Sequence, residues 1–260
     1  MSFYRSLVDE LFSGGSFQRH TYAEPAAIEY GGDNNHLNKV RSIFSEGYSS
    51  LKGWMAKNGM RGRVSPDRIE VGDFFRPENG YFVRTPEGGY FLPDGQIEAM
   101  RYRDGFGRDV VALDEGLIPG TPKNNWAKNF YSNARENVRQ LYSKYSNLRP
   151  LLSGLDEIYK GILRTIQDGR GAVYTMTHEL SHRLTEHMQT REVNEAATDL
   201  ITESALSRDD SVGAYHYFKK HLKDVLRSAD TKVSDIIKNS WLSRQIEDIY
   251  NWRRHGYRSV

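Results

Sequence analysis

Residues Thr177–His182, with the sequence THELSH, carry the most decisive pattern in this chain. They lie within the run 171–188, where apolar residues recur at helical spacing. Each residue of an α-helix advances about 100° around the axis, so His178 and His182 lie about 40° apart on one face, one turn from each other. Two imidazoles arranged in this way can bind one metal ion. The stretch therefore predicts a helix that carries two metal ligands.

Glu179, between the two histidines, points about 100° away from His178, too far around the helix for a natural third ligand. It lies beside the remaining coordination position of a metal, where a carboxylate can take a proton from bound water. The pattern therefore predicts Glu179 as a general base. The opposite face of the helix is apolar, as packing into a core requires, and consists of Val173, Met176, Leu180 and Leu184.

A second stretch, Asn194–Asp199 (NEAATD), supplies two carboxylates. Catalytic zinc usually has three protein ligands and an open position for water. Twelve residues separate His182 from Glu195, enough for the first helix to end and a second helix to return against it. Asp199 lies one turn after Glu195 on the same face and suits a carboxylate that accepts the other ring N–H of a metal-bound histidine, most naturally His178.

Composition limits the chemistry further. The 260 residues include no cysteine, which excludes thiolate ligands and disulfides and leaves histidine and carboxylate to bind one Zn²⁺ ion. A formal net charge of +2 argues against a nucleic-acid partner.

No stretch approaches the ~20 apolar residues of a membrane span. Asp9 and Glu10 interrupt the position of a signal peptide's apolar core, so we expect a cytoplasmic protein, although signal-independent export would leave the same sequence. The oligomeric state is not indicated.

The two stretches together resemble the gluzincin metallopeptidases, the thermolysin-like group, over about residues 172–205. In that family two histidines and the glutamate of an N-E-x-x-S/T-D segment bind zinc. The connection between the two helices is shorter than in thermolysin and closer to compact, minimal-scaffold members or to short stress-response metallopeptidases that cleave repressors. The resemblance implies zinc ligands His178, His182 and Glu195, general base Glu179, and Asp199 as the carboxylate that orients a ligand histidine.

Neighbouring residues offer alternatives to this ligand set. His187 projects about 180° from His178, which favours a position in solvent or at an interface. Glu192 lies one turn before Glu195 on nearly the same face and is the main alternative ligand. Glu195 is favoured because the residues around it complete the segment. Glu203 is interpreted as a polar helix residue.

The resemblance also implies a tyrosine or histidine, placed after the glutamate helix, that stabilises the oxyanion of the tetrahedral intermediate. Tyr215 and His216 are our candidates, although aromatic residues at this spacing are also typical of a core. Tyr174 is a further candidate that could face the cleft from the motif helix.

Residues 60–122 have the texture of a β region, with Glu87-Gly88-Gly89 as a hairpin turn. The predicted strands are 81–84, 89–92 and 109–113. One of them would be an exposed edge to which a substrate backbone adds, although the three runs are equally typical of a small structural sheet. The predicted helices are 3–12, 35–57, 124–146, 149–167, 171–188, 191–207, 211–228 and 231–253.

We therefore expect an α+β, zincin-like fold, with a small twisted sheet in the middle third packed on a mainly helical C-terminal half. Residues 1–60 form an N-terminal helical segment that inhibits, recruits substrate or serves as scaffold. Residues 61–260 form the metallopeptidase domain, with a β region at 61–122 and a helical catalytic region at 123–260. The expected activity is zinc-dependent hydrolysis of a peptide or protein. The alternatives are a metal-binding regulatory or interaction protein of the same fold without turnover, and a helical regulatory or nucleic-acid-associated protein in which the motif is coincidental.

Overall fold

The computed structural model describes residues 27–74, 80–86, 88–93, 99–167, 169–208 and 216–255, without the side chains of residues 216, 254 and 255. Within these ranges the chain is α+β, with many helices and little sheet. The predicted helix 3–12 lies outside them. The strands are β1 (Ala27–Tyr30), β2 (Arg68–Gly72), β3 (Gly80–Thr85), β4 (Gly88–Pro93), β5 (Ala99–Arg103) and β6 (Asp109–Asp114). The helices are α1 (Asn34–Lys57), α2 (Pro122–Lys144), α3 (Arg149–Gln167), α4 (Arg170–Thr185), α5 (Arg191–Leu206), α6 (His216–Ser228), α7 (Val233–Lys238) and α8 (Ser240–His255).

Four of the strands form a mixed sheet in the order β1-β2-β6-β5. Strands β1, β2 and β6 are parallel, and β5 pairs antiparallel with β6. Strand β6 is therefore an inner strand of this sheet, which removes 109–113 from the three candidate edges. Among the described strands, the edge positions belong to β1 and β5, while β3 and β4 form a separate hairpin.

The C-terminal helical prediction 231–253 is wrong in one respect, because the chain breaks between α7 and α8 at Asn239. The backbone of Asn239 is extended, with φ −131° and ψ 99°. Its side-chain oxygen accepts hydrogen bonds from the backbone N–H groups of Trp241 and Leu242, at 3.1 and 3.2 Å. Asn239 thus starts a new helix, since an asparagine side chain at this position satisfies N–H groups that have no partner within the helix.

Helix α4 carries the THELSH stretch and packs on α1. The two helices approach closely at Gly47, where an added Cβ would lie 2.8 Å from Oγ1 of Thr177. Val40 and Phe44 of α1 share one apolar core with Met176 of α4. Helix α1, which falls in the predicted segment 1–60, therefore supports the motif helix directly.

Helix α5 is held between two cores. One side faces α4, while Val193 and Leu200 belong to a second apolar cluster with residues of α6, α7 and α8. The connection from α4 to α5 is tied to α8, because Glu247 accepts hydrogen bonds from the backbone N–H groups of Gln189 and Thr190, at 3.0 and 2.7 Å. This packing fixes α5 relative to α4. Over the described ranges, the helices are all too short or too polar to span a bilayer.

Candidate metal centre

Three electron-pair donors from α4 and α5 converge at one point. The Nε2 atom of His178 lies 3.2 Å from Oε2 of Glu195, and the Nε2 atom of His182 lies 3.6 Å from the same oxygen. Zinc bonds to nitrogen and oxygen are about 2.0–2.2 Å long, so neighbouring ligands of a tetrahedral ion lie about 3.3–3.5 Å apart. The measured separations fit that spacing. His178, His182 and Glu195 could therefore hold a zinc ion with little rearrangement.

The other ring nitrogen of His178 is bound to Asp199. Its Nδ1 lies 3.1 Å from Oδ1 of Asp199, and since a carboxylate only accepts, Nδ1 carries the proton. The hydroxyl of Tyr174 donates to the same oxygen at 2.9 Å. The hydroxyl of Tyr174, a further candidate for a residue facing the cleft, is thus bound to Asp199. The Nε2 atom of His178 is left to face Glu195.

Asn194 orients the ring of His182. The sequence analysis named Asn194 only as part of the NEAATD stretch and did not predict this contact. The amide nitrogen of Asn194 donates to the carbonyl of Thr185 at 2.8 Å, so its oxygen must face the ring, where it lies 3.0 Å from Nδ1. The two imidazoles are nearly perpendicular, with an interplanar angle of 86° and ring centroids 4.8 Å apart. Each histidine thus has Nδ1 engaged behind the site and Nε2 directed into it.

Glu179 lies beside the histidines and is 7% exposed. Ligand-type atoms of His178, Glu179 and His182 all lie within 4.8 Å of one another, so Glu179 is a second candidate for the third ligand. Glu195 is the better candidate, because its Oε2 lies 3.2 and 3.6 Å from the Nε2 atoms of His178 and His182, which is close to the spacing of ligands around a tetrahedral ion. Burial raises the pKa of Glu179, and the charge of Glu195 adds to this, against the opposing charges of His178 and Arg101.

Arg101 of β5 ties the sheet to the motif helix, a contact that the sequence did not indicate. Its guanidinium donates to the backbone carbonyls of Glu179 and Leu180, at 3.2 and 3.0 Å. The same guanidinium forms a two-pronged ion pair with Asp109 of β6. The charge and the backbone of Arg101 also act to lower the pKa of the Glu179 carboxylate, against the larger effect of burial. One residue thus links the sheet to the main chain of the predicted base and influences the pKa of its carboxylate.

The pKa values of the two histidines are shifted in opposite directions. Burial alone would lower the pKa of His178, but hydrogen bonds to Asp199 and Glu195 outweigh burial and raise it to about 10. Burial and the positive charge of His178 lower the pKa of His182 to about 4. Burial opposes ionisation of Glu195 and Asp199, yet the hydrogen bonds from His178 hold both carboxyl pKa values below their ordinary range. At neutral pH the ring of His178 in the metal-free protein therefore carries a second proton, which a metal ion would displace.

Other residues singled out from the sequence lie elsewhere. His187 points away from the site, and its Nε2 lies 3.4 Å from the carbonyl of Ile236. Glu203, which we interpreted as a polar helix residue, lies in α5, where it is buried and paired with Lys219. Tyr215 and the side chain of His216 lie outside the described parts of the chain, and their oxyanion role stays a prediction.

Comparison with known proteins gives no relative to guide the assignment. No protein-family model, curated protein or solved structure matches the chain. The function is therefore inferred from the geometry and chemistry of the site.

Proposed function

We propose that this protein is a zincin-like, zinc-dependent endopeptidase that hydrolyses a peptide or protein substrate. The convergence of His178, His182 and Glu195, with both imidazoles oriented by oxygens behind them, is the observation that supports this best. The bound ion would be a single Zn²⁺. As a Lewis acid it would polarise the scissile carbonyl and lower the pKa of a bound water molecule. We use the term zincin-like for a mixed sheet that lies beside two helices, where the two helices would supply the metal ligands.

Glu179 is the proton carrier in this proposal. Its buried carboxylate has a raised pKa, which suits a group that takes a proton from water and then gives it to the leaving amine. Asp199 and Asn194 keep the two imidazoles in one tautomer and one orientation throughout. The residue that stabilises the oxyanion is proposed to be Tyr215 or His216.

The substrate backbone is proposed to add to β5. Of the described strands, β5 pairs only with β6, so its other edge faces away from the rest of the sheet. The side chain of Arg101 on this strand contacts the motif helix. The candidate edges 81–84 and 89–92 belong instead to the separate hairpin. A peptide bound along β5 would place its own carbonyls beside Glu179.

Replacement of Arg101 by Met should lower kcat/KM by about 10- to 100-fold without loss of bound zinc, because a small displacement of a reacting group can cost about that much. The substitution removes the link between the substrate strand and the main chain of Glu179. Arg103→Met is the matched control, since Arg103 has the same charge on the same strand but is exposed. Steady-state kinetics together with zinc content provide the measurement. Equal kcat/KM values for the two variants would contradict the role of this strand.

The titration of His178 predicts how zinc binding depends on pH. With a pKa near 10 this ring is doubly protonated at pH 7, whereas His182, with a pKa near 4, is neutral. Zinc must displace one proton from His178, so the zinc Kd should fall about tenfold per pH unit as pH rises from about 5.5 to 8. Titration calorimetry in buffers of different ionisation enthalpy should give release of about one proton. Binding without proton release would contradict this.

The proposed activity is tested by labelling new protein N-termini in a cell extract treated with the zinc-loaded protein. A peptidase produces cleavage products that are missing when Glu179→Gln replaces the wild type. A metal-binding protein of the same fold without turnover would retain zinc and yield no new N-termini with either form. Absence of bound zinc from the wild type would exclude both.

A further inference from the structure

Lys219 of α6 is a buried cation that the proposed chemistry does not use. Its side chain is 2% exposed, and its Nζ forms ion pairs with Glu203 and, at 3.5 Å, with Oδ2 of Asp199. Lysine is almost never fully buried unless it is paired, because removal of an ammonium group from water is costly. The contact with Asp199 brings this charge directly behind His178.

The two oxygens of Asp199 have different partners. Oδ1 is 3.1 Å from the ring nitrogen of His178 and accepts the hydroxyl proton of Tyr174. Oδ2 is buried, accepts no hydrogen bond from the described residues, and faces the ammonium group of Lys219 at 3.5 Å. Rotation of this carboxylate would take Oδ1 away from His178 and Tyr174 and leave Oδ2 without the positive charge that faces it. The orientation of the His178 ring therefore depends on the position of Lys219.

Lys223, one turn later on α6, provides a natural comparison. It also reaches Glu203, with 3.5 Å between its Nζ and Oε2, but its side chain is 42% exposed. Both lysines thus link α6 to Glu203 of α5, whereas the contact with Asp199 is made by Lys219. The ion pair of Lys219 with Glu203 is enough to attach α6 to α5, so the contact of Lys219 with Asp199 is not needed for that attachment.

We propose that Lys219 is a positioning residue of the metal centre, which holds Asp199 so that Nε2 of His178 points at the zinc position. This inference rests on the proposed zinc site. It makes zinc affinity depend on the correct docking of α6, an element of the C-terminal helical cluster that contributes none of the three proposed ligands. The link extends from Lys219 through Asp199 to His178.

The test compares the zinc Kd of Lys219→Met with that of Lys223→Met by competition with a chelator. Loss of a group that orients a ligand typically costs about 10- to 100-fold in metal affinity, and we expect a rise of that size for K219M. K223M should stay within about twofold, since exposed ion pairs contribute little. Equal zinc Kd values for K219M and K223M would overturn the proposal.

A second variant separates positioning from stability, because K219M leaves the buried carboxylate of Glu203 without its closest cation. The double variant K219M/E203Q removes that charge as well, and should keep the fold while the zinc Kd rises as in K219M. A folded double variant with wild-type zinc affinity would also overturn the proposal.

Metal-free protein gives an independent measurement that does not depend on the proposed function. The Nδ1–H proton of His178 should give a downfield NMR signal in the wild type and in K223M, and this signal should shift or broaden in K219M/E203Q. An unchanged signal would contradict the positioning role even if the wild type bound no zinc. Failure of the wild type to bind zinc or to cleave peptides would instead count against the proposed function.

Discussion

Glu179→Gln is expected to lower kcat by about 10²- to 10⁴-fold, the range that general-base catalysis contributes. The amide has nearly the size of the carboxylate but cannot accept the proton from water. Zinc content should stay at the wild-type level, because the three proposed ligands are unchanged. Hydrolysis of a peptide taken from a cleavage site found by N-terminal labelling, with zinc measured on the same samples, gives both values.

Glu186→Gln is the matched control for this variant. Glu186 follows α4 directly, and its half-exposed side chain forms an ion pair with Arg183 at 2.6 Å. The same chemical change at this position should leave kcat within about twofold, as expected for a surface ion pair. If E179Q retained half of the wild-type kcat, Glu179 would not be the base, and the proposed proton transfer would be wrong.

His182→Ala is expected to raise the zinc Kd by about 100-fold or more and to abolish hydrolysis at ordinary zinc concentrations. A four-ligand zinc site is worth about 10–16 kcal/mol, so one ligand accounts for roughly 3 kcal/mol, or about two orders of magnitude in affinity. Competition with a chelator measures the zinc Kd. Excess zinc should restore part of the activity, because His178 and Glu195 remain.

His187→Ala controls for the loss of a histidine close in sequence. Its ring lies near the carbonyl of Ile236 and not at the candidate metal centre. Zinc affinity of this variant should equal that of the wild type. Equal zinc affinity in H182A and H187A would show that the ion binds somewhere other than between α4 and α5.

The candidate site was predictable from the sequence because its main parts lie on two neighbouring helices. Helical spacing alone places His178 and His182 on one face, and the NEAATD stretch indicates where a third ligand and its neighbour follow. In the structure Asp199 lies against His178, and the carboxylate of Glu195 lies within 3.6 Å of both imidazoles. The long helices were also predictable, since their apolar periodicity extends over several turns.

Contacts between distant parts of the chain could not be predicted in this way. Arg101 lies 78 residues before Glu179, and only the sheet brings its guanidinium to the motif helix. Strands β1, β2 and β5 were missed because they are four or five residues long and carry charged side chains, as in RIEVG and AMRYR. The burial of Glu203 was not predicted because it depends on the ion pair with Lys219 of another helix. In each case tertiary packing, and not local sequence, decides the outcome.

Zinc K-edge X-ray absorption of the zinc-loaded wild type tests the proposed ligand set most directly. We expect one ion per chain, with two imidazole nitrogens and carboxylate or water oxygens at about 2.0–2.2 Å and no sulfur. A protein that remains free of zinc after loading and dialysis would contradict the metal site of His178, His182 and Glu195. Bound zinc with fewer than two imidazoles would contradict it equally.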